Sequence, residues 1–169
     1  MNDRAPAPGG LALIESLVNT LDIETGADHL DTADGRDAFG LAVEDVAAAR
    51  ELREALRAAC LAHGGHGAAP DGVGALDRLL AHAPLLVGVD EAGTATLRPA
   101  DPAALASRVA VAIATAVAEG TWLRLKACEA EDCRWAYYDR SPAGRSRWCT
   151  MAVCGSRAKM RAYRARRTR

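Results

Sequence analysis

The stretch CEAEDCRWAYYDRSPAGRSRWCTMAVC, residues 128–154, decides how the end of this chain folds. It holds two cysteine pairs of the form C-x4-C, Cys128 with Cys133 and Cys149 with Cys154, separated by a spacer of 15 residues. Two close pairs on either side of such a spacer can bring four thiolates to the corners of a tetrahedron, the closed geometry that structural zinc prefers. We therefore expect these four cysteines to bind Zn²⁺.

Other roles for the cysteines stay open at this point. They could be unligated core residues, or they could form disulfides, although nothing in the sequence indicates an oxidising compartment. An iron–sulfur cluster also uses four cysteines, but these spacings do not match the common ferredoxin runs. Cys60 lies on the apolar face of a predicted helix and is expected to be a small buried hydrophobe. His63 and His66 lie in a Gly-rich stretch and are expected to be solvated, not metal-bound.

The spacer predicts a β-hairpin, with strands at 135–139 and 145–148 around the turn sequence Ser-Pro-Ala-Gly. Its aromatic side chains are Trp135, Tyr137, Tyr138 and Trp148. They could stack on nucleic acid bases, but we expect most of them to form the core of a module with few other large apolar side chains. Because so small a module cannot bury enough surface to fold alone, zinc binding, on the order of 10 kcal/mol, would be coupled to its folding.

A basic segment follows the last cysteine. Residues 155–169, GSRAKMRAYRARRTR, contain seven Lys or Arg and no acidic residue. A helix beginning near Ser156 would place these cations in two stripes, with a strip of alanines between them that could pack against the module. Phosphate and guanine contacts are the functions typical of such a helix, and a solvated cationic tail is the alternative. The predicted nucleic-acid-binding residues are Arg145, Arg147, Arg157, Lys159, Arg161, Arg164, Arg166 and Arg167.

Charge divides the chain into two parts that the net charge of −1 conceals. Residues 1–120 hold 8 Arg and no Lys against 18 acidic residues, a formal charge of −10. Residues 121–169 hold 13 Lys and Arg against 4 acidic residues, a formal charge of +9. Polyanions are the natural partners of the basic part. We expect two domains with these bounds, a helical domain and a zinc module.

The first 120 residues predict a mainly helical domain with a real core, since half of the chain is hydrophobic. Apolar residues between Leu11 and Leu21 recur at helical spacing, which predicts a helix beginning near Gly10, followed by an irregular stretch at 22–40. A hairpin near 85–98 turns at Gly93. Further helices are predicted at 43–63, after Pro70, and from the capping pair Asp101-Pro102 to Glu119. The fold class is mainly α with a small β-hairpin (α+β), followed by a small treble-clef-like zinc module.

No motif in the chain predicts an enzyme, because no nucleophile–base pair, carboxylate pair or phosphate-binding loop is present. Asn19 and Thr20 are the best candidates for a polar ligand pocket, although a helix C-terminus would also explain them. The apolar run at 103–118 carries Arg108 and is shorter than the roughly 20 residues that a membrane span needs. We expect a core helix there and a cytoplasmic protein that does not contact the membrane.

The segments CEAEDC (128–133), YYDRS (137–141) and SRWCTMAVCGSRAKMRAYRAR (146–166) resemble the CGNR zinc-finger family, a bacterial module usually fused behind an ABATE domain. GLALIESLVNT (10–20) and LREALR (52–57) resemble the ABATE part. The resemblance implies the same four cysteine ligands and a role in transcription regulation. Ser156 replaces the Asn of the naming motif. Both residues cap helices well, but Ser provides no amide for a base or phosphate contact.

The leading hypothesis is a transcription regulator in which the zinc module docks the basic helix on duplex DNA and the acidic domain senses a small-molecule effector or mediates assembly. A single short helix covers few base pairs, which favours a homodimer. The alternative hypothesis is an RNA-binding or protein-interaction zinc module.

Overall fold

Helices and two antiparallel hairpins alternate along the described residues, 5–65 and 70–167 of a computed structural model. The helices are α1 (Leu11–Val18), α2 (Ala33–Asp37), α3 (Val46–His63), α4 (Pro70–Leu80), α5 (Leu105–Ala118) and α6 (Ser156–Arg167). The strands are β1 (Leu85–Val89), β2 (Ala95–Pro99), β3 (Leu125–Ala127) and β4 (Ala136–Tyr138), of which β1 pairs with β2 and β3 with β4. The expected α+β class is confirmed.

Helices α1, α3 and α5 form the core with the apolar faces that their sequences predict. Leu11, Ile14, Leu17 and Val18 of α1 are buried at the predicted spacing. Gly10 precedes α1 at a close crossing with α5, where a Cβ atom on Gly10 would lie 2.8 Å from the Cβ atom of Ala112. The start of α1 can therefore lie this close to α5 because its N-cap residue has no side chain.

Two boundaries differ from the sequence prediction. Helix α5 begins at Leu105 because the Asp101 carboxylate accepts from the amides of Ala103 and Ala104, at 2.9 and 3.3 Å, and forms a turn ahead of the helix. The stretch at 22–40, predicted to be irregular, contains α2 and a 3₁₀ turn at His29–Asp31. Side chains cap both, since Asp28 accepts from the Leu30 amide and Thr32 accepts from the Gly35 amide.

The polar side of α3 carries two buried arginines. Arg53 is 4% exposed and donates to the Asp28 carboxylate at 2.8 Å, while Glu54 pairs with Arg53 and with Arg57. Arg50, placed four residues before Glu54, instead pairs with Asp28 at 3.0 Å and with Asp31. Burial alone would raise the pKa of Asp28, but its hydrogen bonds with Arg53 and the Leu30 amide lower it overall. This network fastens the stretch at 22–40, which we call the acidic connection, to α3.

The hairpin β3–β4 belongs to the same core as the helices. Its buried side chains Leu125, Ala127, Ala136 and Tyr138 pack in one cluster with those of α1, α3 and α5. Polar contacts reinforce the packing, since Arg57 donates to the carbonyl oxygens of Val18 at 2.8 Å and of Arg134 at 2.9 Å. Among the described residues, no helix is both long and apolar enough to cross a membrane.

We expect Gly10→Ala to lower the free energy of unfolding by about 1–3 kcal/mol, because the added methyl group overlaps Ala112 and must push α1 from α5. The matched control is Gly74→Ala in α4, whose Cβ would meet only the flexible Arg78 side chain at 3.6 Å. That change should stabilise the protein by up to about 1 kcal/mol, since Ala favours helix over Gly. Urea unfolding measures both, and equal effects would contradict the close crossing.

Candidate metal centre and basic helix

The structure brings the four paired cysteines together. Cys128 follows β3 directly, Cys133 lies in the turn before β4, and Cys149 and Cys154 lie in the segment that precedes α6. All four sulfur atoms lie within 4.8 Å of one another, and the distances from the Cys149 sulfur to those of Cys133 and Cys154 are both 3.6 Å. A tetrahedral ion with Zn–S bonds of 2.3 Å separates its sulfurs by about 3.8 Å. The cluster therefore has the dimensions of a single-ion site.

The chemistry of the cluster also fits a cation. Hydrogen bonds with the Cys133 and Cys149 thiols lower the pKa of Cys128. The contact with Cys128 raises the pKa of Cys133, and burial raises that of Cys154. One thiolate thus suppresses ionisation of its neighbours, so four thiolates can coexist here only around a positive ion.

Local backbone geometry shapes the two halves of the cluster. In the first half, the Cys133 and Arg134 amides both donate to the Ala130 carbonyl at 3.0 Å, and Arg134 has a positive φ of 52°. In the second half, a π-helical turn at Met151–Gly155 leads into α6. A Cβ atom on Gly155 would clash with the Met151 side chain and lie 3.2 Å from the Trp148 ring. Glycine after the last cysteine therefore lets the turn close on the aromatic ring.

The predicted hairpin of 135–139 with 145–148 is wrong. Strand β4 pairs with β3, with Lys126 opposite Tyr137, so the first cysteine pair lies in the connection of the actual hairpin. The segment 145–148 does not form a strand. It is held near β4 by the Tyr137 hydroxyl, which donates to the Ser146 carbonyl at 2.7 Å. Side-chain hydrogen bonds and the Glu129 amide, which donates to the Arg147 carbonyl at 3.0 Å, hold this segment without a strand ladder.

Asp139 also holds this segment, and the sequence patterns of metal ligands and basic residues do not include it. Its fully buried carboxylate accepts from the Ser141 amide at 3.0 Å, the Ser146 amide at 2.9 Å and Lys126 Nζ at 3.0 Å. Burial alone would raise the pKa of Asp139, but these hydrogen bonds outweigh it and hold the pKa well below its ordinary value of 3.8. The D-R-S run in the family motif is the signal that could have identified it.

Most of the aromatic side chains of the module form its core, as expected, since Tyr137, Trp135 and Trp148 pack with the cysteines and Tyr138 packs in the helical core. Tyr137 has no exposed surface and Tyr138 is 9% exposed. Trp135 and Trp148 are half-buried against the cysteine cluster. These four rings therefore stabilise the module and offer little surface for stacking on bases.

Cys60 and His63 are not part of the cluster. Cys60 is fully buried, and burial raises its pKa to about 12, so it behaves as an apolar core residue. The expectation that His63 is solvated is wrong, because its Nδ1 lies 2.7 Å from the Leu125 carbonyl and its ring meets that of Trp122 edge-on. Burial lowers the pKa of His63. His66 lies outside the described residues.

Asn19 and Thr20 make internal hydrogen bonds. Asn19 Oδ1 accepts from the Ala136 amide at 2.7 Å, and its Nδ2 donates to the Ala136 carbonyl at 3.0 Å. Thr20 is buried, donates to the Leu17 carbonyl and accepts from Arg53. The two side chains predicted to bind a ligand thus join α1 to β4 and to α3.

Helix α6 projects from the cluster, and none of its residues is buried. Ala158 is half-buried, whereas Ala162 and Ala165 are exposed, so the alanine strip packs against the module only at its start. Ser156 begins the helix, with its hydroxyl donating to the Met151 carbonyl at 3.2 Å. The geometry of the cluster therefore largely determines where α6 points.

Among the predicted nucleic-acid-binding side chains, Arg147, Arg157 and Arg161 are paired with acidic residues of the described part of the chain. Arg157 lies 3.2 Å from Glu24 and 3.9 Å from Asp132, and Arg161 lies 3.7 Å from Asp132. Arg147 forms a bidentate pair with Glu129. The other five predicted side chains are exposed: Arg145, Lys159, Arg164, Arg166 and Arg167. The inner side of α6 is thus tied to the rest of the molecule, and its outer side carries the accessible cations.

We expect Asp139→Asn to lower the free energy of unfolding by about 3–5 kcal/mol, because the change leaves Lys126 buried without its charged partner. Glu131→Gln removes the same charge from a side chain that is 94% exposed, and should change stability by less than about 0.5 kcal/mol. Urea unfolding in the presence of zinc makes the comparison. Similar midpoints for the two variants would show that the buried pair does not stabilise the module.

Comparison with models of protein families finds two matches, in the order that the sequence resemblance gave. Residues 11–120 match the ABATE model, described as "Putative stress-induced transcription regulator", and residues 124–167 match the CGNR zinc finger. No curated protein matches the chain. Neither family is an enzyme family by its description. Since the first match covers more than half of the chain, the protein belongs to the ABATE family and carries a CGNR zinc finger after its ABATE region.

Proposed function

We propose that the protein is a transcription regulator that binds duplex DNA through α6, with a structural Zn²⁺ ion held by Cys128, Cys133, Cys149 and Cys154. The observation that supports this most directly is the position of α6, whose first residue lies two positions after the last cysteine of the cluster. A fixed ion at that place orients a helix that has no core of its own.

The donor set favours zinc over the other candidates. Four thiolates in a closed tetrahedral arrangement are typical of structural zinc sites. Sulfurs 3.6 Å apart are not disulfide-bonded, because that bond is about 2.05 Å long. An iron–sulfur cluster needs space for several metal and sulfide atoms between its ligands, and sulfurs within 4.8 Å of one another leave space for one ion.

The charge of α6 favours nucleic acid as the partner. Between Ser156 and Arg167 the helix carries six Lys or Arg and no acidic residue, and all six are exposed. An α-helix is 10–12 Å across and fits the major groove of B-DNA, which is about 12 Å wide. In this proposal residues 121–169 form the DNA-binding part, and the acidic residues 1–120 form the part that regulates it.

The helical part offers one cavity suited to a small effector. It has a volume of about 460 Å³ and lies between α3, α4 and the start of α5. Leu41, Leu52 and Leu79 contribute apolar side chains to its lining, which also includes Asp45 and Asp101. Such a lining suits an apolar molecule with a cationic group. Effector binding here, in place of the Asn19 and Thr20 region, is part of the proposal.

We expect the purified protein to contain one zinc ion per chain by elemental analysis, and Cys154→Ser to lose most of it. Cys60→Ala is the matched control, since this cysteine lies outside the cluster, and it should retain the metal. Chelation should lower DNA affinity together with metal content, because an unfolded module no longer orients α6. A metal-free protein with unchanged DNA affinity would contradict the proposed role of the ion.

Binding to a short DNA duplex should weaken steeply with salt, since each phosphate contacted contributes about 0.9 to the slope of log K against log salt. The variant with Arg164→Gln and Arg167→Gln should lower that slope by about 1.8. Arg78→Gln, an exposed change in α4, should leave it unaltered. Titrations on single-stranded DNA and on structured RNA run beside the duplex; preference for the RNA would replace DNA with RNA as the target, and preference for the single strand would contradict binding to duplex DNA.

A further inference from the structure

Two large apolar side chains lie on the outward side of α6. Met160 is 52% exposed and Tyr163 is 53% exposed. The half-buried Ala158 marks the inward side of the helix. At 100° per residue, Met160 and Tyr163 lie about 160° and 140° around the axis from it. The two side chains are three residues apart and therefore neighbours on one surface, which we call the outward face.

The rotation of α6 that exposes this face is fixed by contacts on the other side. Arg157 and Arg161 lie on the flank that meets Asp132, and Arg157 also reaches Glu24 across 133 residues of sequence. Together with the packing of Ala158, these ion pairs hold the inward side against the module and the acidic connection. The apolar pair is therefore presented to a partner, away from its own chain.

Cations surround the apolar pair. On the helical projection Arg167 lies between Met160 and Tyr163, with Arg164 and Lys159 on either side. Arg167 also lies over the Tyr163 ring, 5.8 Å from its centroid. A second copy of the same face would bring two such cationic helices together at a cost in repulsion. The charge complementarity of this face points to a polyanion, and its width to the major groove.

We infer that Met160 and Tyr163 enter the major groove and determine sequence specificity by apolar contact with the C5-methyl groups of thymine. This inference rests on the proposed function and extends it from phosphate binding to base recognition. Phosphate contacts of arginine and lysine carry no sequence information, whereas apolar side chains distinguish thymine through its methyl group. The cations of α6 position the helix on the duplex, and the apolar pair reads it.

The test begins with selection of preferred duplexes from a random library by the full-length zinc-loaded protein. Affinity is then measured for a selected and a scrambled duplex with wild type, Met160→Ala, Tyr163→Ala and the double variant. We expect the double variant to lose about ten-fold or more on the selected duplex and little on the scrambled one. Its salt slope should equal that of wild type, because no charge has been removed.

Two controls separate base reading from other effects. Val117→Ala truncates an apolar side chain on α5 that is 58% exposed, and should leave both affinities unchanged. Replacing thymidine with deoxyuridine in the selected duplex removes only the methyl groups. Wild type should then lose affinity by a similar factor, and the double variant should show no further loss.

Different results would overturn the inference and the proposed function on which it rests. If wild type binds duplex DNA with a steep salt slope and the double variant keeps its preference for the selected duplex, the inference is wrong and the proposed function stands. If wild type binds no duplex, both are wrong. If sedimentation shows that the double variant dissociates a wild-type dimer without altering DNA preference, the outward face is a self-association surface and the inference is again wrong.

Discussion

Electrostatic repulsion among closely spaced thiolates is the constraint on which the rest of the basic region depends. Four ionised sulfurs within 4.8 Å of one another would repel strongly, and a central cation removes that repulsion. Gly155 lets the turn close on Trp148, and the Ala130 carbonyl closes the turn of the first pair. Because α6 has no buried residue, these local constraints and a few ion pairs are what give the helix a direction.

The module and the helical part form one structure despite their opposite charges. The apolar side chains of β3 and β4 pack in the helical core, and the Asn19 amide binds both backbone groups of Ala136. The boundary in charge therefore falls between two regions that share packed apolar side chains. Arg57 links the two parts directly, because it donates to the carbonyl oxygen of Val18 at the end of α1 and to that of Arg134, next to Cys133.

Sequence patterns predicted the structure correctly where it depends on interactions between residues close in sequence. Apolar spacing in α1 and α3, the turn glycine between β1 and β2, and the matched cysteine pairs each depend on residues close in sequence. Some local capping turns were missed, at Asp28, Thr32 and Asp101, but the larger failures involve distant partners. The strand that pairs with β4 is Leu125–Ala127, and no local signal distinguishes it from the segment after the Ser-Pro-Ala-Gly turn. Likewise, the burial of Arg53 and the pairing of Arg157 with Glu24 depend on residues 25 or more positions away.

The contact between Asn19 and Ala136 has a consequence for the order of events during synthesis. The two residues are 117 positions apart. The Asn19 side chain, directly after α1, can therefore form these hydrogen bonds only after most of the chain has left the ribosome. Closing so long a loop delays the docking of β4 on the end of α1. Until that step the polar groups of both face water. The link from the end of α1 to β4 thus forms late, when the part of the chain that carries the four paired cysteines is being made.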